Sequence, residues 1–258
     1  VRNKLDLVFF NEQAWMEPVF ACKQLGVKTG AYVDYYTEST VPLFKAYDFL
    51  ICNTKRHYSV FKDHPQAFYI PWGTDPSLFK PKSLDLVQTG CVTFFHSAGF
   101  SPSRKGTDIV IKAFEKVQGP KKLVIHLQVG LDKFFPELMP LIEQMRSQKI
   151  LEYIEETIPA PGAYHRGDVY VYPSRLDGIG LTIAEALSCG LPVITSNNAP
   201  MNEFINFDNG SLIDILKFFP RGDGYYWPQS EASIEHLIQI MQDYVDHTGE
   251  IVRKKGNA

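Results

Sequence analysis

Two acidic residues flank the start of a short apolar segment. Asp177 and Glu185 are eight positions apart, and Gly178 and Gly180 follow the first acid closely. Residues 181–189 can form a helix, which places the first acid in the loop ahead of it and the second about one turn inside it. An ionised carboxylate only accepts hydrogen bonds, so this pair is suited to binding hydroxyl groups.

The start of that helix predicts an anion site. Its free N–H groups and the positive end of its dipole face the loop, and the glycines let a ligand approach the backbone closely. An anion-binding helix start between two hydroxyl-binding acids fits a nucleotide sugar. The alternative is a helix whose acidic first turn is favoured simply by the dipole.

A second polar loop follows the apolar run 91–95. Arg104, Lys105 and Gly106 stand at its turn, ahead of an amphipathic helical segment. Two cations beside a helix start would neutralise a diphosphate, and a solvated basic loop is the alternative. We interpret His96 as a core or loop histidine, with a position near the phosphates as the alternative.

A third polar loop, TSNNAPMNEF, covers residues 195–204. Its Asn, Ala and Pro residues favour a tight turn, and Asn202 with Glu203 would open the next helix. Free amides here could hold phosphate or sugar oxygens. A plain connection between a strand and a helix is the alternative.

Apolar, β-branched runs alternate with helical stretches and position these loops. Most runs lack polar alternation, which is typical of parallel strands buried on both faces. The order predicts an α/β fold with right-handed crossovers, in which ligands bind outside the carboxyl ends of the strands. The predicted strands are 5–10, 29–33, 49–52, 67–70, 91–95, 122–127, 150–154, 169–172 and 192–195, and the predicted helices are 12–25, 54–61, 107–117, 136–147 and 182–189.

A linker is predicted near residues 71–90. The run PWGTDPSLFKPKSLD holds three prolines and a glycine and has no helical period. It divides the chain into a small domain, 1–80, and a larger domain, 81–258, which has the size of a complete doubly wound domain.

The bulk composition excludes several classes of protein. A net charge of −3 does not favour a nucleic-acid groove, and no apolar run has the length of a transmembrane helix. None of the four cysteines forms a C-x-x-C pair, which favours buried free thiols in a reducing compartment.

We interpret the basic run 253–255 as a solvated tail, with membrane contact as the alternative. The aromatic cluster 225–227 is predicted to be a hydrophobic anchor for the last segment of the chain, with a sugar platform as the alternative.

In this order the three loops resemble the retaining glycosyltransferases of the two-Rossmann GT-B fold, specifically glycosyltransferase family 4. That signature has an acid, G-F-G, a second acid eight positions after the first, and A-x-x-C-G-x-P-V-I; this chain reads DGIGLTIAEALSCGLPVIT. YHRGDVYVYPSRL, IPWGTDPSLFKP and NFDNGSLID are similar to other segments of the family. The resemblance implies two Rossmann-like domains: a shortened acceptor-side domain, 1–80, and a complete nucleotide-sugar-binding domain, 81–258.

The resemblance also implies roles for single residues. Lys105 matches the diphosphate-binding lysine, Asp177 takes the place of an acid that binds hydroxyls of the transferred sugar, and Glu185 matches the acid that binds the ribose. The first domain lacks the glycine-rich loop and the histidine that are usual in the family, and two positions of the second domain also depart from it. Asp177 stands where glutamate is usual, and Gly99 stands where arginine is usual, so Arg104 would have to supply that charge.

The other expected donor-binding positions lie around the helix start and in the first and third loops. They are Gly178, Ile179, Gly180, Leu181, Thr182, Asn202 and Gly99.

The reaction implied by the resemblance transfers a sugar from a nucleoside-diphosphate sugar to an acceptor hydroxyl with retention, in glycan or glycolipid synthesis. Lys105, Arg104 and Asp177 form the implied catalytic group. No D-x-D motif is present, so we expect no metal and no cofactor besides the donor. The expected partners are the donor and a glycan or lipid-linked acceptor, in the cytoplasm or on the inner face of a membrane. The alternatives are a non-catalytic nucleotide-sugar-binding subunit or fragment, and a nucleotide-sugar epimerase.

Overall fold

A computed structural model describes residues 4–12, 15–81 and 90–255. The described chain divides into two compact units, each built on a parallel sheet. The first unit comprises residues up to 73 together with 219–229, and the second comprises 74–218 and 230 onward. The predicted α/β class is therefore confirmed. Residues 13–14 of the first predicted helix and 82–89 of the predicted linker lie outside the described residues.

The first unit has a four-stranded sheet in the order β1-β2-β3-β4, with every neighbouring pair parallel. Alternate residues of β2 and β3 face one core, where they meet Val19 of α1 and Phe61 of α2. Its strands are β1 Leu7–Asn11, β2 Lys28–Val33, β3 Phe49–Cys52 and β4 Ala67–Tyr69, and its helices are α1 Glu17–Gln24 and α2 Lys55–Phe61.

The segment 219–229 completes the first unit. The Trp227 indole N–H donates to the hydroxyl of Tyr36 at 2.6 Å, and the Tyr225 hydroxyl donates to the carbonyl of Asp34 at 3.1 Å. Tyr225 also stacks on Tyr35, with ring centroids 5.3 Å apart. The aromatic cluster therefore anchors the segment 219–229 in the first unit, whereas the prediction had it anchor the last segment of the chain.

The division of the chain differs from the predicted boundary at residue 80 in two places. Residues 74–81 pack with the second unit, where Thr74 bonds to Ser188 at 2.5 Å and Pro81 lies against Gly190. Residues 219–229 return to the first unit, where Tyr225 is buried and Trp227 bonds to Tyr36. The first unit is therefore not one continuous stretch of sequence.

The second unit has a six-stranded sheet in the order β10-β9-β8-β5-β6-β7, again with every neighbouring pair parallel. This is the Rossmann order, so the prediction of a complete doubly wound sheet is confirmed. Its strands are β5 Val92–Gly99, β6 Lys121–Leu127, β7 Leu151–Glu155, β8 Val169–Tyr172, β9 Val193–Ser196 and β10 Gly210–Ile213, and a separate pair is β11 Ile215–Phe219 with β12 Gln229–Ala232.

Helices of the second unit cover both faces of its sheet. Phe94 of β5 belongs to one core and Phe95 to the other, as the alternation of a strand requires. The helices are α3 Pro102–Lys105, α4 Thr107–Lys116, α5 Met139–Ser147, α6 Leu181–Ser188, α7 Ile234–Asp246 and α8 Thr248–Lys255. Within the described ranges, no helix combines the length and the apolar character needed to cross a membrane.

Two sequence interpretations are wrong. The basic run 253–255 is not a solvated tail but the last turn of α8, where Lys254 is only 6% exposed. Its ammonium donates to the carbonyl of Gly210 and to the hydroxyls of Ser211 and Tyr244, at 2.9 to 3.1 Å. The helix predicted to open at Asn202 is a single 3₁₀ turn, Met201–Glu203. The four cysteines are free, as predicted, with Cys52 buried and the others half-buried.

Candidate nucleotide-sugar site

The predicted residues gather where the winding of the second sheet reverses. β5 is the first strand of this unit, and it lies between β6 and β8, so the chain winds outward in both directions from it. Sheets of this kind bind ligands in the crevice between the carboxyl ends of the two strands at this switch point. The loop after β5 carries Arg104 and Lys105, and the loop after β8 carries Asp177 and the start of α6.

The two loops are fastened to each other through their backbones. Gly106 has a φ of +73°, and a Cβ atom there would lie 2.2 Å from the carbonyl oxygen of Pro173. The amide of Arg175 donates to the carbonyl of Arg104 at 2.8 Å, and the Arg104 guanidinium donates to the carbonyl of Leu176 at 2.8 Å. Only glycine permits this approach at position 106.

Arg175 adds a side-chain clamp between the same loops. Its guanidinium donates to both carboxylate oxygens of Asp108, in the first turn of α4, at 2.8 and 2.9 Å. It also reaches Glu231 of β12 at 3.2 Å. Burial lowers the pKa of Arg175, but its bonds to the two carboxylates outweigh burial and hold that pKa above the usual range. A planar guanidinium that bonds to both oxygens of a carboxylate fixes the relative orientation of the two groups as well as their distance.

Lys105 and Asp177 form an ion pair at the centre of the crevice. The ammonium lies 2.6 Å from the carboxylate, and the side chains are 14% and 15% exposed. Burial raises the pKa of Asp177, but the charge and hydrogen bond of Lys105 and the hydroxyl of Tyr172 more than offset it, so that the pKa is about 2. Burial lowers the pKa of Lys105, Asp177 raises it, and Arg104 lowers it. The Asp177 carboxylate is therefore ionised at neutral pH.

The start of α6 faces the same crevice. Gly180 caps the helix with a φ of +86°, and a Cβ atom there would lie 3.3 Å from the ring of Phe204. Gly178 and Ile179 precede the helix, and Leu181 and Thr182 are its first two residues, with Leu181 more exposed than the rest. The first N–H groups of a helix have no partner within it, so they can receive an anion.

Glu185 lies one turn inside α6, as the spacing predicts. Its carboxylate accepts a hydrogen bond from the hydroxyl of Tyr164 at 2.5 Å. Burial raises the pKa of Glu185, and the bond from Tyr164 lowers it in part. The carboxylate is thus held by one hydroxyl and keeps capacity to accept others.

At Gly99, where the resemblance predicts an arginine, the backbone itself has an unusual conformation. It has a φ of +53° and lies at an irregularity in the pairing of β5 with β6. The left-handed backbone disfavours any side chain at this position, even though a Cβ atom would meet only Gln128 at 3.7 Å. The nearby Arg104 is engaged with Leu176 but still shifts the pKa of Asp177 downward.

Two further predictions have different outcomes. Asn202 lies in the loop after β9, where its side-chain amide donates to the side-chain oxygen of Asn197 at 3.0 Å. His96 is a core histidine, as predicted. It is fully buried and bonded to Val171 and Thr107 at 2.8 Å, and burial lowers its pKa to about 4.

Sequence reasoning missed three residues of the site: Tyr172, Tyr164 and Arg175. Tyr172 could have been found as the last residue of a buried strand, directly before the loop that carries Asp177. The other two carry no local signal, because their partners are far away in the sequence. Within the described ranges, no group of three or more histidine, cysteine or acidic side chains is placed to hold a metal ion.

Comparison with known proteins assigns the chain to a family. Residues 91–243, more than half of the chain, match the family of glycosyl transferases group 1, and the chain belongs to that family. The matched range holds the crevice, both of its loops and α6.

Individual relatives share part of their length with this chain. A probable sucrose-phosphate synthase of Thermosipho melanesiensis is 29% identical over 204 residues, which are 72% of this chain and 45% of that protein. The O-antigen biosynthesis glycosyltransferase WclY of Escherichia coli is 35% identical over 126 residues, which are 45% of this chain and 34% of that protein. The chain spans less than half the length of these relatives.

Solved structures give the fold. Anabaena Alr3699/HepE in complex with UDP superposes with a TM-score of 0.75 at 16% identity, covering 98% of this chain and 72% of that one. A glycosyltransferase from Rickettsia africae superposes with a TM-score of 0.76 at 16% identity, covering 98% and 70%. The chain has the GT-B type of fold, with two parallel sheets.

Proposed function

We propose that the chain transfers a sugar from a nucleoside-diphosphate sugar to an acceptor hydroxyl, with retention at the anomeric carbon. The observation that carries the proposal is the buried Lys105–Asp177 pair at the switch point of the second sheet. The two charged groups are 2.6 Å apart and precede a helix start; in the proposal the ammonium binds the diphosphate and the carboxylate accepts from sugar hydroxyls. Adjacent diphosphate and sugar groups are the two parts of such a donor.

Each group then has a role in the reaction. Negative charge grows on the leaving diphosphate as the anomeric carbon becomes cationic, so fixed cations and amide dipoles aimed at the phosphates stabilise the transition state. Lys105, the amides at the start of α6 and the charge of Arg104 serve the diphosphate. Asp177 accepts from hydroxyls of the transferred sugar, and Glu185 accepts from the ribose. No protein metal site is part of this scheme.

The relatives favour a donor of this class and an acceptor in glycan or glycolipid synthesis. Alr3699/HepE has been crystallised with UDP and with UDP-glucose. A relative from Corynebacterium glutamicum, 30% identical over 170 residues, is named as a GDP-mannose-dependent mannosyltransferase of a phosphatidylinositol mannoside. We therefore propose UDP- and GDP-sugars as the first donors to test, with glycan and lipid-linked acceptors.

The donor site can be tested without knowing the acceptor. Ligand binding raises thermal stability in proportion to RT ln(1 + [L]/Kd), so a panel of nucleotide sugars should reveal the donor by the shift in Tm. Glu185→Ala should reduce that shift. A panel without any shift for the intact chain, and no effect of this substitution, would exclude the donor site.

A non-catalytic nucleotide-sugar-binding subunit is the second candidate, and Gly99 favours it. The position that the family fills with an arginine has a left-handed backbone here, which leaves Lys105 with a single neighbouring cation in that loop, Arg104. Incubation of the chain with its donor and an acceptor panel separates the two functions. An enzyme releases nucleoside diphosphate and an α-linked or β-linked product that NMR assigns, whereas a subunit binds the donor without turnover.

A further inference from the structure

The hydroxyl of Tyr172 joins the two members of the ion pair. It donates to Oδ2 of Asp177 and accepts from Nζ of Lys105, and that ammonium also lies 4.8 Å from the centre of the Tyr172 ring. Tyr172 is the last residue of β8 and is fully buried. The three side chains therefore form a closed triangle in which each bonds to the other two.

We propose that Tyr172 is a positioning residue of the donor site, whose hydroxyl holds Asp177 and Lys105 in place so that each can turn its remaining bonds to the donor. This inference rests on the proposed function and adds a residue to it. When the ammonium donates to a diphosphate and the carboxylate accepts from a sugar hydroxyl, the Tyr172 hydroxyl still bonds to both. Neither charge is then left buried without a fixed partner, which would be costly.

The ring of Tyr172 is suited to this role because it is fully buried and packed against a neighbouring ring. It stacks on Tyr170, with centroids 5.6 Å apart and planes 20° apart, and both rings belong to a central strand of the sheet. Asp177 has one methylene fewer than the glutamate usual at its position, so its carboxylate stays close to its own backbone. A fixed hydroxyl beside it defines the direction that this short side chain takes.

The charged and titratable groups around the triangle come from several elements. Burial is the largest cause of the lowered pKa values of Lys105 and of His96 on β5; Arg104 on α3 lowers the first further and Lys105 the second. Arg104 also lowers the pKa of Asp177, against the effect of burial. Tyr170 on β8 is also fully buried, and its hydroxyl interacts with that of Thr182. Tyr170→Phe and Tyr172→Phe each remove one hydroxyl from a buried tyrosine of β8, so they form a matched pair of variants.

Donor binding and turnover of Tyr172→Phe and Tyr170→Phe test the proposal in the whole chain. We expect Tyr172→Phe to weaken donor binding or kcat/KM by roughly 10- to 100-fold, because a hydrogen bond to a charged group is lost. Tyr170→Phe should stay within about twofold of the parent chain, since the partner of its hydroxyl is the neutral Thr182 and not a charged group. Equal effects of the two variants, with equal Tm values, overturn the proposal.

A carboxyl-¹³C NMR titration gives a second readout that needs no donor. The Asp177 resonance is assigned from its loss in Asp177→Asn. The bond from Tyr172 favours the ionised carboxylate, so Tyr172→Phe should raise the pKa of Asp177, while Tyr170→Phe leaves it in place. An unchanged pKa in Tyr172→Phe overturns the proposal. A raised pKa in a chain that binds no nucleotide sugar supports the positioning contact and refutes the proposed function.

Discussion

Gly106 and Pro173 meet so closely that no side chain fits between them. A Cβ atom on Gly106 would lie 2.2 Å from the Pro173 carbonyl oxygen. This approach is what brings the loop with Lys105 against the loop with Asp177, although the two residues are far apart in the sequence. The geometry of the ion pair therefore depends on a backbone contact as well as on its own charges.

Gly106→Ala should separate the loops. Relief of the clash requires the backbone at 173 to move, and overpacking of this kind costs about 3 kcal/mol. We expect a lower free energy of unfolding by about that amount and weaker donor binding, measured by urea denaturation and calorimetry. Gly162→Ala is the control: its φ of +72° is nearly the same as that of Gly106, but its Cβ would meet Tyr164 only at 3.8 Å. That control should cost about 1 kcal/mol, and equal losses in both variants would contradict the role of the contact.

Asp177→Ala should separate recognition of the sugar from recognition of the diphosphate. The substitution removes the acceptor for sugar hydroxyls and releases the Lys105 ammonium from its partner. We expect the nucleoside diphosphate alone to bind at least as tightly as before, while the extra affinity conferred by the sugar falls by about tenfold. Calorimetry with both ligands measures the difference. The role is refuted when the two affinities fall together.

Glu185→Gln should weaken recognition of the ribose and raise the thermal stability of the chain at neutral pH. Glu185 has a raised pKa in the folded chain, so its stabilising contribution is present below the unfolded pKa and is lost as the pH rises through the folded pKa. The neutral amide avoids this loss, so Tm should rise relative to the parent chain at pH 7 but not at pH 4. In the same variant, discrimination between the ribonucleotide and its 2′-deoxy form should fall by about tenfold. A variant that keeps full discrimination shows that Glu185 does not bind the ribose.

Lys254→Met should destabilise the second unit. The buried ammonium ties α8 to Gly210, Ser211 and Tyr244, and its removal leaves these oxygens without their donor. We expect a loss of about 2 kcal/mol in the free energy of unfolding. Lys217→Ala, an exposed lysine on β11, serves as control and should change stability little. A similar result for both lysines would mean that the buried bonds do not stabilise the helix.

Most of the strands could be predicted from the sequence, because parallel strands buried on both faces consist of apolar residues without alternating polar ones. The nine predicted strands, from β1 to β9, are present with shifts of a few residues. β10, β11, β12 and the two last helices were missed, although α7 has Leu237, Met241 and Tyr244 on one buried face. Lys254 was misplaced because its burial depends on three distant oxygens, which no local pattern reveals.

Single residues of the site could be predicted from the sequence, but the contacts between them could not. Spacing alone located Asp177 and Glu185 about the start of α6, and it located Lys105 in a loop at the same sheet edge. Burial of the whole strand β8 hides which of its tyrosines matters, since Tyr170 and Tyr172 share one face. Only the end of the strand distinguishes them, because the loop with Asp177 folds back over Tyr172.

The return of residues 219–229 to the first unit has a consequence for dissecting the protein. A fragment cut near residue 80 would lack Trp227 and Tyr225, and Tyr36 would lose both the indole N–H bonded to its hydroxyl and a neighbouring aromatic ring. The larger fragment would expose the same aromatic residues to water. Expression of either half as a separate piece should give insoluble material. Two separable modules should result when 219–229 is grafted onto the first unit and a short turn joins β11 to β12 in the second.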